Sequence, residues 1–196
     1  LLSTMYKVVL LGEGRVGKTS MVKQIMKKSF TENEVSTTQA SHNQKTVKLD
    51  NQSVVLDIWD TAGQEQYHGL GPVYYRDADA AILVFDVTMK ETFEMVKSWV
   101  QEISSICEKD LVYVIAGNKM DLVQSISNEE AEQFAKSIHG EYIETSAKTG
   151  ANLDLLLRTV AQELVNRSHL EANADPYSIT APLLVAEEPK SKKCCC

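Results

Sequence analysis

The segment 12–20 constrains this chain more than any other, because it carries the phosphate-binding pattern GxxxxGK[ST]. The apolar run 6–11 before it is typical of a buried strand, and residues 21–26 after it are helix-forming. Glycines on a strand-to-helix turn let successive backbone N–H groups and the positive end of the helix dipole face one anion. The sequence therefore predicts a polyphosphate site. An ordinary glycine turn with a surface lysine is the alternative, which the later motifs disfavour.

The polar side chains of this phosphate-binding turn have expected tasks. Lys18 is placed to neutralise the β and γ phosphates of a nucleotide, and the Thr19 hydroxyl is placed to bind Mg²⁺. Arg15 is either an arginine acting on the phosphates in cis or, as we favour, a solvent-facing charge. The predicted nucleotide-binding residues of the turn are Gly12, Gly14, Arg15, Val16, Gly17, Lys18, Thr19 and Ser20.

Composition and charge narrow the class of protein. The 196 residues suffice for one domain and a remainder, and 43% of them are hydrophobic, enough for a proper core. A net charge of −7 argues against general nucleic-acid binding. Cys107 stands alone and the other three cysteines end the chain, so neither a disulfide framework nor metal-ligand spacing is visible. A reducing, cytosolic environment fits best. No apolar run approaches the roughly 18 residues of a membrane span.

Strand-like apolar runs alternate with helical patterns, which predicts a parallel sheet with helices on both faces. The predicted strands are 6–11, 44–50, 53–60, 80–85, 111–116 and 141–145, with the second and third joined as a hairpin. Apolar spacings of three and four predict helices at 93–107, 129–138 and 153–164, besides the helix after the phosphate-binding turn. The fold prediction is an α/β P-loop NTPase fold with a mostly parallel six-stranded sheet.

A second candidate segment follows the strand that ends at Asp60, at the kind of edge where α/β sheets bind ligands. Asp60 can hold Mg²⁺, usually through a water. Gly63 has an amide able to reach a γ-phosphate, and Gln64 is placed to orient an attacking water. A strand-closing aspartate is often only a cap or turn residue, but its position after a phosphate-binding turn favours function. Upstream, the polar stretch 29–42 predicts a long exposed loop.

The tetrapeptide Asn-Lys-Met-Asp at 118–121 predicts which base the bound nucleotide carries. The Asp121 carboxylate can accept two parallel hydrogen bonds from the N1–H and N2–H₂ groups of guanine, whereas adenine has an acceptor at N1 and no donor at position two. A buried polar group left unpaired costs on the order of 1–3 kcal/mol, so such a site discriminates strongly. A backbone amide in 146–148 can donate to guanine O6. The predicted base-binding residues are Asn118, Lys119, Asp121, Ser146, Ala147 and Lys148.

With these motifs in place, the chain resembles the small GTPases of the Ras superfamily and, within it, the Rab family. The resemblance covers roughly residues 6–167 and the terminal cysteines. The segments 59–65 and 74–76 look Rab-like, and 39–41 and 70–77 look most like the endocytic branch. The resemblance implies a small G-protein fold, binding of GTP and GDP with Mg²⁺, and slow GTP hydrolysis that an activating protein stimulates.

The resemblance also assigns residues. Thr37 would complete Mg²⁺ coordination and bind the γ-phosphate, Phe30 would pack against guanine, and Lys119 would lie along the ring face. The loops at 29–42 and after Gly63 would be switches I and II, ordered by GTP and released on hydrolysis. The implied metal ligands are Thr19, Thr37 and Asp60, the catalytic residue is Gln64, and Phe30, Thr37 and Gly63 join the nucleotide-binding residues.

Departures from the Rab pattern concern partner recognition rather than nucleotide chemistry. Of an aromatic triad that Rabs use to bind effectors, Trp59 and Tyr75 are expected to remain, but His42 stands where phenylalanine is common. Thr38 stands where Rabs usually have an aliphatic residue. Gln66 and Tyr67 stand where a basic residue followed by an aromatic one is usual.

The implied function is a switch that regulates vesicle and endosomal traffic from the cytoplasmic face of endosomal membranes, cycling with the cytosol. The implied partners are effectors, an exchange factor, a GTPase-activating protein and a prenyl-binding escort protein. The G domain is expected to be monomeric and not to bind nucleic acid. One rival is a guanine-nucleotide-dependent binding module that hardly hydrolyses, against which Gln64 argues. Another is a P-loop kinase for a small molecule, against which the guanine motifs argue.

A GTPase domain is predicted at 5–168 and a disordered tail at 169–196, where no amphipathic period continues. Prenylation at a C-a-a-X box is excluded, because Lys193 stands fourth from the end. The remaining interpretation, which the Rab resemblance strengthens, is geranylgeranylation of two of the three final cysteines, with the tail as a membrane tether. The predicted prenylation sites are Cys194, Cys195 and Cys196.

Overall fold

A six-stranded sheet is the central element of the structure, a computed structural model that describes residues 4–32, 37, 40–61, 74–107 and 111–173. Its strands are β1 (Met5–Leu11), β2 (Ser41–Lys48), β3 (Ser53–Asp60), β4 (Ala80–Asp86), β5 (Val112–Asn118) and β6 (Glu141–Glu144). Their order across the sheet is β2-β3-β1-β4-β5-β6. β2 pairs antiparallel with β3, and the other neighbours pair parallel. The predicted mostly parallel six-stranded sheet is confirmed.

Helices cover both faces of the sheet in the described chain: α1 (Lys18–Lys27), α2 (Lys90–Ile106), α3 (Asn128–Ser137) and α4 (Leu153–Asn173). One core lies between the sheet and α1 and α4, and a second between the sheet and α2 and α3. Alternate residues of β1 pack in opposite cores. Val8 and Leu10 lie in the first core, and Val9 and Leu11 lie in the second. Every residue of β4 is buried, as expected of a strand covered on both faces.

The strand order determines where a ligand can bind. The chain passes from β1 to β2 and β3 on one side, and then to β4 on the other side of β1. Such a reversal leaves a crevice at the carboxyl ends of the parallel strands, which is where α/β proteins bind ligands. The phosphate-binding turn after β1 and the segments after β3, β4, β5 and β6 therefore meet at one edge.

Two elements differ from their predicted bounds. Helix α4 continues to Asn173, so the predicted change from domain to tail at residue 169 falls inside it. The apolar spacing ends earlier and Leu170 is 74% exposed, so the sequence pattern does not mark the end of this helix. Strand β2 begins at Ser41, inside the stretch predicted as a loop, because pairing with the buried strand β3 extends it through polar residues.

Several predictions lie outside the described residues, namely those on Thr38, Gly63, Gln64, the pair 66–67, and the tail beyond residue 173 with its three cysteines. Among the helices that are described, none is both long enough and apolar enough to span a bilayer.

Candidate nucleotide-binding site

Gly12 and Gly17 shape the phosphate-binding turn, because each has a positive φ, 145° and 100° respectively. A Cβ atom on Gly12 would collide with the carbonyl oxygen of Val84, and one on Gly17 with the side-chain amide of Asn118. Gly17 is also the N-cap of α1 and makes no side-chain bond to the first N–H groups of the helix. The start of α1 therefore has no side chain of its N-cap competing for those N–H groups, which suits an anion site at a helix N-terminus.

Lys18 is the buried cation of the site. Its Nζ donates to the carbonyl oxygens of Gly12 at 2.8 Å and Glu13 at 3.0 Å, which holds the side chain across the turn. The Gly14 N–H in turn donates to Glu13 Oε1 at 3.2 Å. Burial lowers the pKa of Lys18 to about 8, while the carboxylates of Asp60 and Glu13 oppose this by favouring the charged form. An anion brought to the turn would stabilise this charge further.

The three predicted Mg²⁺ ligands lie around the start of α1. The Oγ1 atoms of Thr19 and Thr37 are 2.5 Å apart, although Thr37 comes from the segment before β2. Asp60 ends β3, is 2% exposed, and interacts electrostatically with Lys18. The described residues hold no cluster of three or more His, Cys, Asp or Glu side chains. One carboxylate with two hydroxyls nevertheless fits Mg²⁺, which takes few protein ligands and completes its shell with water and phosphate.

The side chain of Asn118 joins two loops of the site to the end of β5. Its Nδ2 donates to the carbonyl oxygen of Val16 at 2.8 Å. Its Oδ1 accepts from the N–H of Ala147 at 3.0 Å and the hydroxyl of Thr145 at 3.4 Å. Asn118 is 1% exposed, and Val16 and Ala147 are also buried. The phosphate-binding turn and the segment 146–148 are thereby held next to each other.

Asp121 and Ser146, predicted on separate motifs, are brought into contact. The Ser146 hydroxyl donates to Asp121 Oδ1 at 2.5 Å and accepts from the N–H of Thr149 at 3.1 Å. Ser146 is fully buried, whereas Asp121 is exposed. A carboxylate accepts about four hydrogen bonds, so this one contact leaves Asp121 most of its capacity for a ligand.

The remaining predicted residues lie at the rim of the site. Phe30 is 38% exposed, and Lys148 Nζ is 3.8 Å from Glu32 Oε1, which links the segment 146–148 to the loop after α1. Arg15 is exposed and has a φ of 65°, which agrees with its interpretation as a solvent-facing charge. Ser20 is half-buried in the first turn of α1.

Asp86 is a polar residue of this edge that the sequence analysis missed. It ends β4, is 2% exposed, and its Oδ2 lies 2.5 Å from Lys119 Nζ. The signal that could have found it is an acidic residue directly after the apolar run 80–85, the pattern that also marks Asp60. Lys119 has a φ of 68°, so its backbone is constrained as well.

The aromatic surface on β2 and β3 corrects one prediction. The His42 and Trp59 rings are stacked with centroids 5.2 Å apart, and Tyr74 lies 6.4 Å from Trp59. Tyr75 is fully buried instead, and its hydroxyl donates to Glu102 at 2.5 Å. The assignment of Tyr75 to the aromatic triad is therefore wrong, and Tyr74 is the tyrosine beside Trp59. Successive residues of a helical turn point about 100° apart, and here Tyr75 is the one that points into the core.

The model of the Ras family matches residues 7–166 of the chain. The chain belongs to the Ras family. Ras-related protein Rab-21 of Mus musculus is 40% identical over 171 residues, which cover 86% of this chain and 77% of the relative. Rab-21 of Bos taurus is 38% identical over 179 residues, covering 90% and 81%, and that of Homo sapiens is 38% identical over 179 residues, covering 90% and 80%. The predicted Rab resemblance is confirmed, and like other Rab proteins this one is a GTPase.

Nucleotide binding by this Rab GTPase should take up protons between pH 7.5 and 8.5. The pKa of Lys18 is about 8 in the free protein, and a bound phosphate raises it by favouring the charged lysine. Above the free pKa, binding must protonate Lys18, so the affinity for GDP should fall by up to about tenfold per pH unit. Calorimetry in two buffers of different ionisation enthalpy measures the protons taken up.

The matched control is Lys27→Met, which removes a solvent-exposed lysine of the same helix and should leave the proton uptake unchanged. Absence of uptake at the upper pH would contradict a lowered pKa at Lys18.

Proposed function

We propose that this Rab GTPase is a guanine-nucleotide switch of vesicle and endosomal membrane traffic, which hydrolyses GTP with Mg²⁺ and recruits effector proteins in the GTP state. The observation that carries the proposal is the buried side chain of Asn118, which hydrogen-bonds both the phosphate-binding turn and the segment 146–148. This bridge supports the proposal because it holds a turn suited to phosphates beside a segment suited to a base.

Asp121 selects guanine in this proposal. The carboxylate accepts from guanine N1–H and N2–H₂ while keeping its bond from Ser146, which holds it in place from the buried side. Phe30 and the stem of Lys119 contact the faces of the ring, and an amide of the segment 146–148 donates to O6. Adenine would leave the carboxylate opposite an acceptor, which costs affinity twice, through a lost bond and through repulsion.

Asp121→Asn should therefore move the base preference from guanine toward xanthine. The amide offers a donor where position two of xanthine carries an oxygen, and affinity for GDP should fall by about 100-fold or more. Competition of GDP, XDP and ADP against a fluorescent GDP analogue measures all three affinities.

Asp154→Asn is the matched control, since it makes the same change on a carboxylate of α4 that is 79% exposed. An unmodified protein that bound ADP as tightly as GDP would refute the guanine assignment.

Hydrolysis follows from positioning and charge. Lys18 contacts the β and γ phosphates from the floor of the turn, and the N–H groups at the start of α1 bind their oxygens. Thr19, Thr37 and Asp60 would hold Mg²⁺, which when bound would neutralise charge on the phosphate oxygens. Gln64, outside the described residues, orients the attacking water. An activating protein that supplies an arginine would add about 10³–10⁵-fold to the slow intrinsic rate.

Gln64→Leu should slow GTP hydrolysis by about 10- to 100-fold while leaving GTP affinity nearly unchanged, because only the orientation of the water is lost. A single-turnover assay with preloaded GTP measures the rate, and nucleotide competition measures the affinity. Gln162→Leu, the same change on an exposed glutamine of α4, is the control.

The two measurements also test the rival of a binding module that hardly hydrolyses. Equal rates for Gln64→Leu and the unmodified protein, with and without an activating protein, would remove Gln64 from the mechanism.

The membrane role of the proposal depends on the three final cysteines, which lie beyond the described residues. Geranylgeranyl groups on two of Cys194, Cys195 and Cys196 would give stable anchoring, whereas one lipid chain binds only marginally. Lysines at 190–193 would add roughly 1 kcal/mol each beside anionic lipid, less the repulsion from the acidic pair at 187–188. An escort protein would bind the prenyl groups in the cytosol, and exchange and activating proteins would act on the switches.

Replacing all three terminal cysteines by serine should move the protein from membranes to the cytosol without altering its affinity for GDP. Fractionation of cells that express the tagged full chain measures the distribution, and imaging against endosomal and Golgi markers identifies the compartment. Cys107→Ser is the control for the same atom change within the folded domain, where the thiol donates to the carbonyl of Tyr75 at 3.4 Å. A triple variant that stayed on membranes at the original level would refute the lipid anchor.

A further inference from the structure

Asp86 is a buried carboxylate whose two oxygens have different partners. Its Oδ1 accepts from the backbone N–H of Thr88 at 2.9 Å and from the Thr88 hydroxyl at 2.7 Å. Its Oδ2 lies 2.5 Å from Nζ of Lys119. One oxygen thus stabilises the turn after β4, and the other holds the lysine of the base-binding tetrapeptide.

The backbone fixes both ends of this contact. Asp86 pairs with Asn118 in the register of β4 and β5, and the N–H of Val87 donates to the Asn118 carbonyl at 3.0 Å. Lys119 follows at once with a φ of 68°, a left-handed conformation that few residues other than glycine adopt. With its backbone constrained and its ammonium group paired, the four-carbon stem of Lys119 keeps few of the conformations a lysine usually samples.

Asp86 and Lys119 differ in exposure, which shows which of the two side chains holds the other in place. The side chain of Asp86 is 3% exposed, whereas that of Lys119 is 33% exposed. The carboxylate is therefore the fixed partner, and the lysine is the one that would otherwise turn toward solvent. Removing one charge of such a pair leaves the other partly buried and uncompensated.

We infer that Asp86 is a positioning residue for the base: by holding Lys119 Nζ, it keeps the lysine stem along the face of the guanine ring and slows nucleotide release. The inference rests on the proposed function, in which Lys119 contacts that ring. Asp86 acts through Lys119 and need not touch the nucleotide.

The test compares the release of a fluorescent GDP analogue, chased with excess GDP in Mg²⁺, from the full chain and from Asp86→Asn. The amide keeps the size of the side chain and an oxygen for the Thr88 N–H, but it removes the charge that faces Lys119. Release should become about tenfold faster. Thr88→Val is the matched control, because it removes a hydrogen bond to Oδ1 and leaves Oδ2 intact, so release should change by less than about twofold.

A double-mutant cycle with Lys119→Met separates positioning from a merely structural role. If Asp86 acts through Lys119, then Asp86→Asn has no further effect on release once Lys119 is methionine. A structural role would speed release by the same factor in both backgrounds.

The inference is overturned by unchanged release in Asp86→Asn, by equal acceleration in both backgrounds, or by equal acceleration in Thr88→Val. Unchanged release in Lys119→Met would be a different result, since it refutes the proposed contact of Lys119 with the base and the inference with it. If Asp86→Asn does not fold, as judged by circular dichroism, Asp86→Glu takes its place. That change moves the carboxylate by one methylene, and release at the original rate would again overturn the inference.

Discussion

The nucleotide site depends on one buried carboxamide. Asn118 donates to a carbonyl of the phosphate-binding turn and accepts from an amide of the segment 146–148. A neutral side chain that offers a donor and an acceptor on one rigid plane is needed, and an unmet buried partner costs roughly 1–3 kcal/mol. Gly17 tightens the constraint, because any side chain there would occupy the place of the Asn118 amide. The position of each loop therefore follows from a contact between residues distant in sequence.

The buried charged side chains of the site also lie at the carboxyl ends of the parallel strands. The carboxyl ends of β3 and β4 each carry a buried aspartate, Asp60 and Asp86, and each interacts with a lysine, Lys18 at the start of α1 and Lys119 after β5. Two backbone carbonyls hold Lys18 across the phosphate-binding turn, and Asp86 holds Lys119 beside the end of β5. Burial makes both arrangements sensitive to any nearby anion, since the interior screens charge poorly. Each of the two lysines thus has a buried aspartate near it, one through a direct ion pair and the other through a longer-range attraction.

How much could be predicted from the sequence depends on how local each signal is. The phosphate-binding turn, the tetrapeptide and the sheet were predictable, because their patterns lie within short segments that follow apolar runs. Asp86 was missed because its contact with Lys119 exists only through the register of β4 and β5. The sequence could not show which of Tyr74 and Tyr75 is buried, because the two are adjacent and identical. Only the geometry of the helical turn places Tyr75 in the core and Tyr74 beside Trp59. The end of α4 was predicted too early because the apolar spacing that marks a helix in the sequence stops before the helix itself does.

The separation of the loops along the chain has a consequence for synthesis. Val16 leaves the ribosome long before its partner Asn118, 102 positions later, and Ala147 follows another 29 positions on. At bacterial or eukaryotic elongation speeds the first interval alone lasts roughly 5–20 s. During that time the phosphate-binding turn is made but has nothing to hold it against the base-binding segments. The contacts that join the loops of the site therefore form only after the strand β6 and the segment after it have been made, so the site is completed late in synthesis.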